Sequence, residues 1–239
     1  MSKLTVGDLL KEKSLELSQV QGEKGFDRAV KVPEINRLGL ALAGHLAYFA
    51  AERIHVLGIT EYSYLETLSA QRRQEIFKQL FTAFPQIPCI IQTKNPMPFE
   101  ELTDACRDFS IPLLNSELRT NNFIINLGIF LEEKLAPGIT LHGVLIDVFG
   151  LGVLILGDSG IGKSECALEL LKRGHMFIAD DVIEIKHTRG GVLTGSGQEL
   201  IRHYMEVRGI GIIDIKAIFG IGVILDKTTI ELVIKLEES

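Results

Sequence analysis

Concentrated positive charge is missing from this sequence. Its 25 Lys and Arg stand against 31 Asp and Glu, for a net charge of -6. No stretch gathers enough Lys or Arg to neutralise a run of phosphates, which argues against nucleic acid as a partner. Cysteine is scarce: the three, Cys89, Cys106 and Cys166, are odd in number and widely spaced. They lack the paired spacing of a zinc site or a disulfide framework, so a reduced, cytoplasmic compartment is expected. The start, MSKLTVGDLLKEKSLELSQV, has no apolar core for a secretory leader, because Asp8, Lys11, Glu12 and Lys13 interrupt its leucines. It reads as an amphipathic helix capped by Thr5 and Asp8. The longest apolar tract, GVLIDVFGLGVLILG, carries Asp147 and four glycines. That is short of the about 20 residues a bilayer helix needs, so no membrane span is expected, and the tract reads as two buried strands around a turn at Gly150. Internal repeats and low-complexity segments are absent as well.

What is present is enough apolar residue for two cores: 46% of 239 residues are hydrophobic, and domains usually hold roughly 100–150 residues. From Leu38 to Leu135 helical and extended patterns alternate. LGLALAGHLAYFAAERI is helical, HVLGIT extended, YLETLSAQRRQEIFKQLFTAF helical, PCIIQT extended, PFEELTDACRDF helical and IPLLNS extended. Such alternation predicts a layered, parallel α/β domain. The next helix, ELRTNNFIINLGIFLEEKLA, sets Phe123, Leu127, Phe130 and Leu131 on one face and ends at Pro137 and Gly138. Beyond it the strands TLHGVLIDVFG, GVLILG, MFIADD, VIEIKH, GIIDI and TIELVIKL follow closely, interrupted by one clear helix from Lys163 to Arg173. The expected domains are therefore 1–131 and 132–239, the second rich in sheet.

The second domain carries GDSGIGKS, Gly157 to Ser164, a complete G-x-x-x-x-G-K-[ST] loop with a strand before it and a helix after it. Gly157, Gly160 and Gly162 let the backbone turn and bring N–H groups to phosphate oxygens, with Asp158, Ser159 and Ile161 completing the loop. Lys163 is expected on the β and γ phosphates and Ser164 on a magnesium ion bridging them. ATP is the expected nucleotide. The loop by itself leaves open whether the nucleotide is hydrolysed, transferred from or only sensed.

About seventeen residues after Lys163, Asp180 and Asp181 stand at the end of a short apolar strand, one helix and one turn away. One carboxylate can serve the metal while the other takes a proton from an attacking hydroxyl; the alternative is a solvated turn. His142 is followed by Gly143, a gap beside the backbone that suits a bulky ligand, although an isolated histidine in an apolar strand also fits a core role. In MEVRGIGIIDI, Glu206 and Arg208 share one face if the segment is extended. A metal-binding Glu206 with a phosphate-binding Arg208 competes there with a simple mutual ion pair.

Together LHGVLIDVFGLGVLILGDSGIGKSECALELLKRGH, IADD and EVRGIGIIDIKAIFG resemble bacterial HPr kinase/phosphorylase from Leu141 to about Leu236. The first half, with GLALAGHLAYFAAERIHVLGITE, is similar to that family's first domain with less specific motifs. The resemblance implies a phosphate-loop kinase fold similar to phosphoenolpyruvate carboxykinase, a cytoplasmic homo-oligomer that is usually a hexamer, and the phosphocarrier protein HPr as partner in carbon catabolite regulation. By the family's pattern His142, Lys163 and Asp181 match catalytic positions, and Ser164 and Glu206 match magnesium ligands. Asp181 would act as base in phosphorylating a serine and as acid in the reverse step, in which inorganic phosphate attacks phosphoserine and pyrophosphate leaves. The family's chains continue past the strand that here reads IELVIKLEES, through a segment with another catalytic arginine and a dephosphorylation loop. No residue of this sequence matches either.

Two other readings stand beside this one: a nucleotide-binding regulatory or assembly protein that transfers no phosphate, and a small-molecule kinase built on the same loop. Only a protein-serine kinase would label a serine on HPr.

Overall fold

The tetrads IHVL and IIQT are buried at every position, polar residues included, as in strands covered on both faces. The structure, a computed structural model, describes residues 3–21, 23–94 and 97–238. The chain divides into two compact units, Met1–Leu135 and Ala136–Ser239.

The first unit runs α1 (Val6–Leu9), β1 (Leu17–Gln21), β2 (Ile35–Arg37), α2 (Gly39–Leu42), β3 (Ile54–Leu57), α3 (Ile59–Glu66), α4 (Ala70–Ala83), β4 (Ile90–Thr93), α5 (Glu100–Asp108), β5 (Leu113–Ser116) and α6 (Thr120–Leu135). The sheet has the order β1-β5-β4-β3-β2. Strands β2 to β5 are parallel, and β1 is antiparallel to β5. On one face Leu57, Ile90 and Leu113 pack with Leu65 of α3 and Phe77 and Leu80 of α4. On the other, Ile54, Val56 and Ile91 pack with Phe123, Leu127 and Leu131 of α6.

Three expected helices are shorter or divided. At the start Asp8 accepts from the Thr5 N–H at 3.0 Å and the Thr5 hydroxyl at 2.8 Å, but the helix lasts one turn. Leu17–Gln21 instead satisfies its backbone as the edge strand against β5. The stretch from Leu38 to Ile54 is helical only through α2. His45 N–H bonds to the Leu40 carbonyl and Gly44 N–H to the Ala41 carbonyl, with Gly44 at φ +90°, a left-handed stop that outweighs the apolar spacing beyond it. The stretch from Tyr64 to Phe84 is divided between α3 and α4 at Ser69, whose hydroxyl accepts from the Arg72 N–H.

The second unit comprises β6 (Gly138–Val148), β7 (Leu151–Leu156), α7 (Lys163–Lys172), β8 (Met176–His187), β9 (Leu193–Gly197), β10 (Tyr204–Val207), β11 (Gly211–Asp214), α8 (Ile215–Phe219) and β12 (Lys227–Lys235). A closed barrel in the order β12-β7-β6-β8-β9 is its frame. The β6–β7 turn consists of Phe149 and Gly150, both at positive φ (55° and 85°), as a two-residue hairpin of the strands' twist requires. Its Gly150 N–H is held by Asp147 at 2.8 Å. Val144, Ile146, Val153 and Ile155 pack outward on Ala167 and Leu171 of α7. Leu145, Leu154, Ile178 and Ile183 pack with one another inside the barrel. The two strands expected in MFIADD and VIEIKH are one, β8. Its pairing with β6 runs on through Val144 opposite Asp180 and Gly143 opposite Asp181, so there is no turn at the aspartates.

In the first unit His55 is fully buried and stacks on Phe49 with ring centroids 4.5 Å apart. Burial holds its imidazole at a pKa of about 4, below the ordinary histidine value. A folded pKa below the unfolded one gives stability that is complete above the unfolded value near 6.5 and is lost as pH falls towards 4. Urea unfolding of the first unit is expected to weaken across that window, and His55→Leu should flatten the dependence. An equally steep pH dependence in the variant would rule out His55 as its source.

Candidate active site

Strand β7 ends at Leu156, and the loop from Gly157 to Gly162 leads straight into α7. Gly160 and Gly162 have φ of +82° and +103°. A Cβ on Gly160 would overlap the Arg208 guanidinium, so glycine is required there for space as well as for conformation. Lys163 Nζ donates to the carbonyls of Gly157 at 2.9 Å and Asp158 at 2.8 Å, closing over the loop. The first helical bond runs from the Cys166 N–H to the Gly162 carbonyl, which leaves the preceding N–H groups of the helix start for an anion.

The two aspartates are neighbours in sequence with opposite surroundings. Asp180 is 8% exposed. Its carboxylate accepts from the Ser164 hydroxyl at 3.1 Å on each oxygen and from the Glu206 N–H at 3.0 Å. Burial pushes its pKa up from the ordinary carboxyl value, the Asp181 charge adds to that, and these hydrogen bonds oppose it. Asp181 is open to solvent instead: its side chain is 70% exposed and lies 3.2 Å from His142 Nδ1. It also holds φ at +70°, which a non-glycine residue seldom adopts. Sparsely populated backbone of this kind concentrates at functional positions.

Two expectations about neighbours change. Gly143 does not open a ligand gap, because a Cβ there would meet the Ile155 carbonyl at 2.7 Å and Leu156 at 3.0 Å; the space belongs to β7. Glu206 and Arg208 do not share a strand face. Strand β10 ends at Val207, which pairs with Gly211, so Arg208 begins a tight hairpin loop. Among the described residues the two form no ion pair; Arg208 reaches Gly160 instead, Nη1 to the carbonyl at 3.5 Å.

A cleft of about 350 Å³ is lined by Lys163, Ser164, Asp180, Asp181, Glu206 and Arg208, with loop glycines between them. His142 stands outside this lining and meets it through Asp181. Glu165 and Val207 also line the cleft. Sequence reasoning gave them no role; the only signal for Glu165 was its place after Ser164 in the helix's first turn. Among the described residues no three His, Cys, Asp or Glu side chains gather as a metal cage. The hard oxygens of Ser164, Asp180 and Glu206 in one cleft nevertheless fit magnesium, which uses one or two carboxylates and leaves the remaining positions to water and phosphate. Among the described residues no helix is long and apolar enough to cross a membrane.

Comparison with known proteins gives the family. Residues 4–131 match the family described as HPr Serine kinase N terminus, and residues 133–239 match HPr Serine kinase C-terminal domain. HPr kinase/phosphorylase of Brevibacillus brevis is 47% identical over 91% of this chain and 70% of its own. That of Caldicellulosiruptor bescii is 44% identical over 98% of this chain and 74% of its own. A solved structure, the Hpr(Ser) kinase/phosphatase from Coxiella burnetii, is 37% identical, with a TM-score of 0.39 over 41% of this chain and 64% of that one. Matched along nearly its whole length by the two domain families and by the Brevibacillus brevis and Caldicellulosiruptor bescii proteins, the chain belongs to the HPr serine kinase family.

Proposed function

We propose that this chain transfers the γ-phosphoryl group of ATP to a serine hydroxyl of HPr. In reverse, inorganic phosphate attacks phosphoserine-HPr, freeing the serine and releasing pyrophosphate. The observation that carries the reading is an exposed carboxylate, Asp181, at the mouth of a complete phosphate loop, beside a buried carboxylate, Asp180, bonded to the loop's serine. Chemistry at an acceptor as large as a protein needs its base at the open side of the cleft, and Asp181 is there.

In this reading the loop N–H groups and Lys163 hold the β and γ phosphates. Arg208, lying against Gly160, meets the transferred group. Ser164, Asp180 and Glu206 would hold magnesium. Bound there, the ion would neutralise phosphate charge. Asp181 takes the serine proton as phosphate leaves ATP and returns it in the reverse direction, while His142 fixes the Asp181 carboxylate. The same reading takes the protein as a cytoplasmic homo-oligomer, a hexamer by resemblance, with the first unit regulatory or for assembly.

Incubation with labelled ATP should label HPr, and should fail to label HPr whose acceptor serine is replaced by alanine. Labelling that survives this replacement would overturn the serine assignment. Lys163→Ala should lower transfer by about 100-fold or more, since it removes a cation aimed at developing negative charge; unchanged turnover would exclude this loop. Glu206→Gln should raise the magnesium concentration at half-maximal rate severalfold, with recovery in excess metal. An unshifted magnesium midpoint would remove Glu206 from the metal.

A further inference from the structure

One carboxylate of the cleft takes no part in the proposed transfer. Glu165 follows Ser164 in the first turn of α7, lines the cleft and is exposed. Asp180 is bonded to Ser164 and the Glu206 N–H, and Asp181 lies against His142. The Glu165 side chain, by contrast, has no hydrogen-bond or ion-pair partner among the described residues. The helix dipole favours an acid in this turn, so the fold accepts Glu165. A triphosphate does not, because a bare carboxylate repels a polyanion beside it. The residue suits a nucleotide only where the nucleotide carries no negative charge and offers donors.

The loop gives the nucleotide its direction. Lys163 serves the β and γ phosphates, and Asp181 and Arg208 mark the end at which the γ group leaves. The first helical bond runs from the Cys166 N–H to the Gly162 carbonyl, so the N–H groups of Lys163, Ser164 and Glu165 are open to the phosphates nearer the sugar. Successive helical residues stand about 100° apart, which sets Lys163 and Glu165 on opposite flanks of Ser164. Glu165 is therefore on the flank away from Lys163, where the phosphates give way to the ribose. A ribose presents two adjacent hydroxyls and a carboxylate two acceptor oxygens, so donors and acceptors match. Acidic side chains hold ribose hydroxyls in this way at the dinucleotide sites of other α/β folds.

We propose that Glu165 accepts hydrogen bonds from the 2′ and 3′ hydroxyls of the donor's ribose and so selects ribonucleotides over deoxynucleotides. The inference rests on the proposed transfer from ATP and adds a specificity-determining residue to the same cleft. Glu165 touches neither the metal nor the transferred group. Its loss therefore weakens nucleotide binding and leaves the rate at saturating nucleotide unchanged.

The test uses the full chain and titrates magnesium-ATP and the magnesium complex of 2′,3′-dideoxy-ATP by calorimetry, with transfer to HPr measured alongside. The parent should bind ATP about tenfold or more tighter than the dideoxy analogue. Glu165→Ala should bring ATP to the level of the analogue without weakening the analogue, and Glu165→Gln, which keeps one acceptor oxygen, should retain part of the preference. Neither variant should change the maximal rate of transfer or the magnesium midpoint. Equal weakening of both nucleotides in Glu165→Ala would overturn the proposal, as would a shifted magnesium midpoint, which would place Glu165 on the metal. Binding of both nucleotides by the parent without preference would overturn this proposal and leave the transfer reading standing. Failure of the parent to bind either would overturn both.

Discussion

The carboxylate of Asp180 holds the candidate site together. It lies on β8 and accepts from a hydroxyl on α7 and a backbone N–H on β10, so three elements distant in sequence meet at one buried charge. Removing that charge from water is costly, as its raised pKa records. Hydrogen bonds to an ion contribute roughly 1.5–3 kcal/mol each and offset part of that cost. What remains is a negative charge in want of a cation, beside a loop built for phosphate. The β10–β11 hairpin, fixed at Glu206 by this contact, delivers Arg208 two residues later onto Gly160. Loop, carboxylate and arginine are thereby set by a single arrangement.

Asp181 depends on the same strand. Its φ of +70° is kept because β8 is paired along β6 on both sides of it, Asp180 with Val144 and Val182 with His142. The pairing over-determines a conformation that the residue alone would avoid. As a result adjacent carboxylates face unlike surroundings, one dry and bonded to Ser164, the other wet and beside His142. In the proposed reading this difference in burial assigns the dry carboxylate to the metal and the wet one to the serine proton.

Local features were legible in the sequence. The phosphate loop is contiguous, with its strand and helix on either side, and GVLIDVFGLGVLILG is the β6–β7 hairpin around Gly150 that its glycine and apolar runs suggest. The parallel order of HVLGIT, PCIIQT and IPLLNS followed from alternation with helices. Nonlocal features were hidden. Closure of the barrel by β12 against β7 and β9 is made by residues more than seventy positions from β7. The continuity of β8 through two aspartates is imposed by its partner strand. The Glu206–Arg208 spacing does place both residues in one cleft, but not on one strand, because β10 ends at Val207 and the hairpin loop carries Arg208 there. Leu17–Gln21, helical by its leucines, became a strand because the edge of β5 offered it a partner.

If burial divides the work of the two aspartates, their amide variants fail in different ways. Asp180→Asn and Asp181→Asn are compared for magnesium-ATP affinity and for the rate of transfer to HPr. The account predicts that Asp181→Asn keeps nucleotide affinity while the rate falls by about 100- to 10,000-fold, the range of a lost general base. It predicts that Asp180→Asn loses affinity for magnesium-ATP. Loss of affinity in Asp181→Asn, with affinity intact in Asp180→Asn, would contradict it.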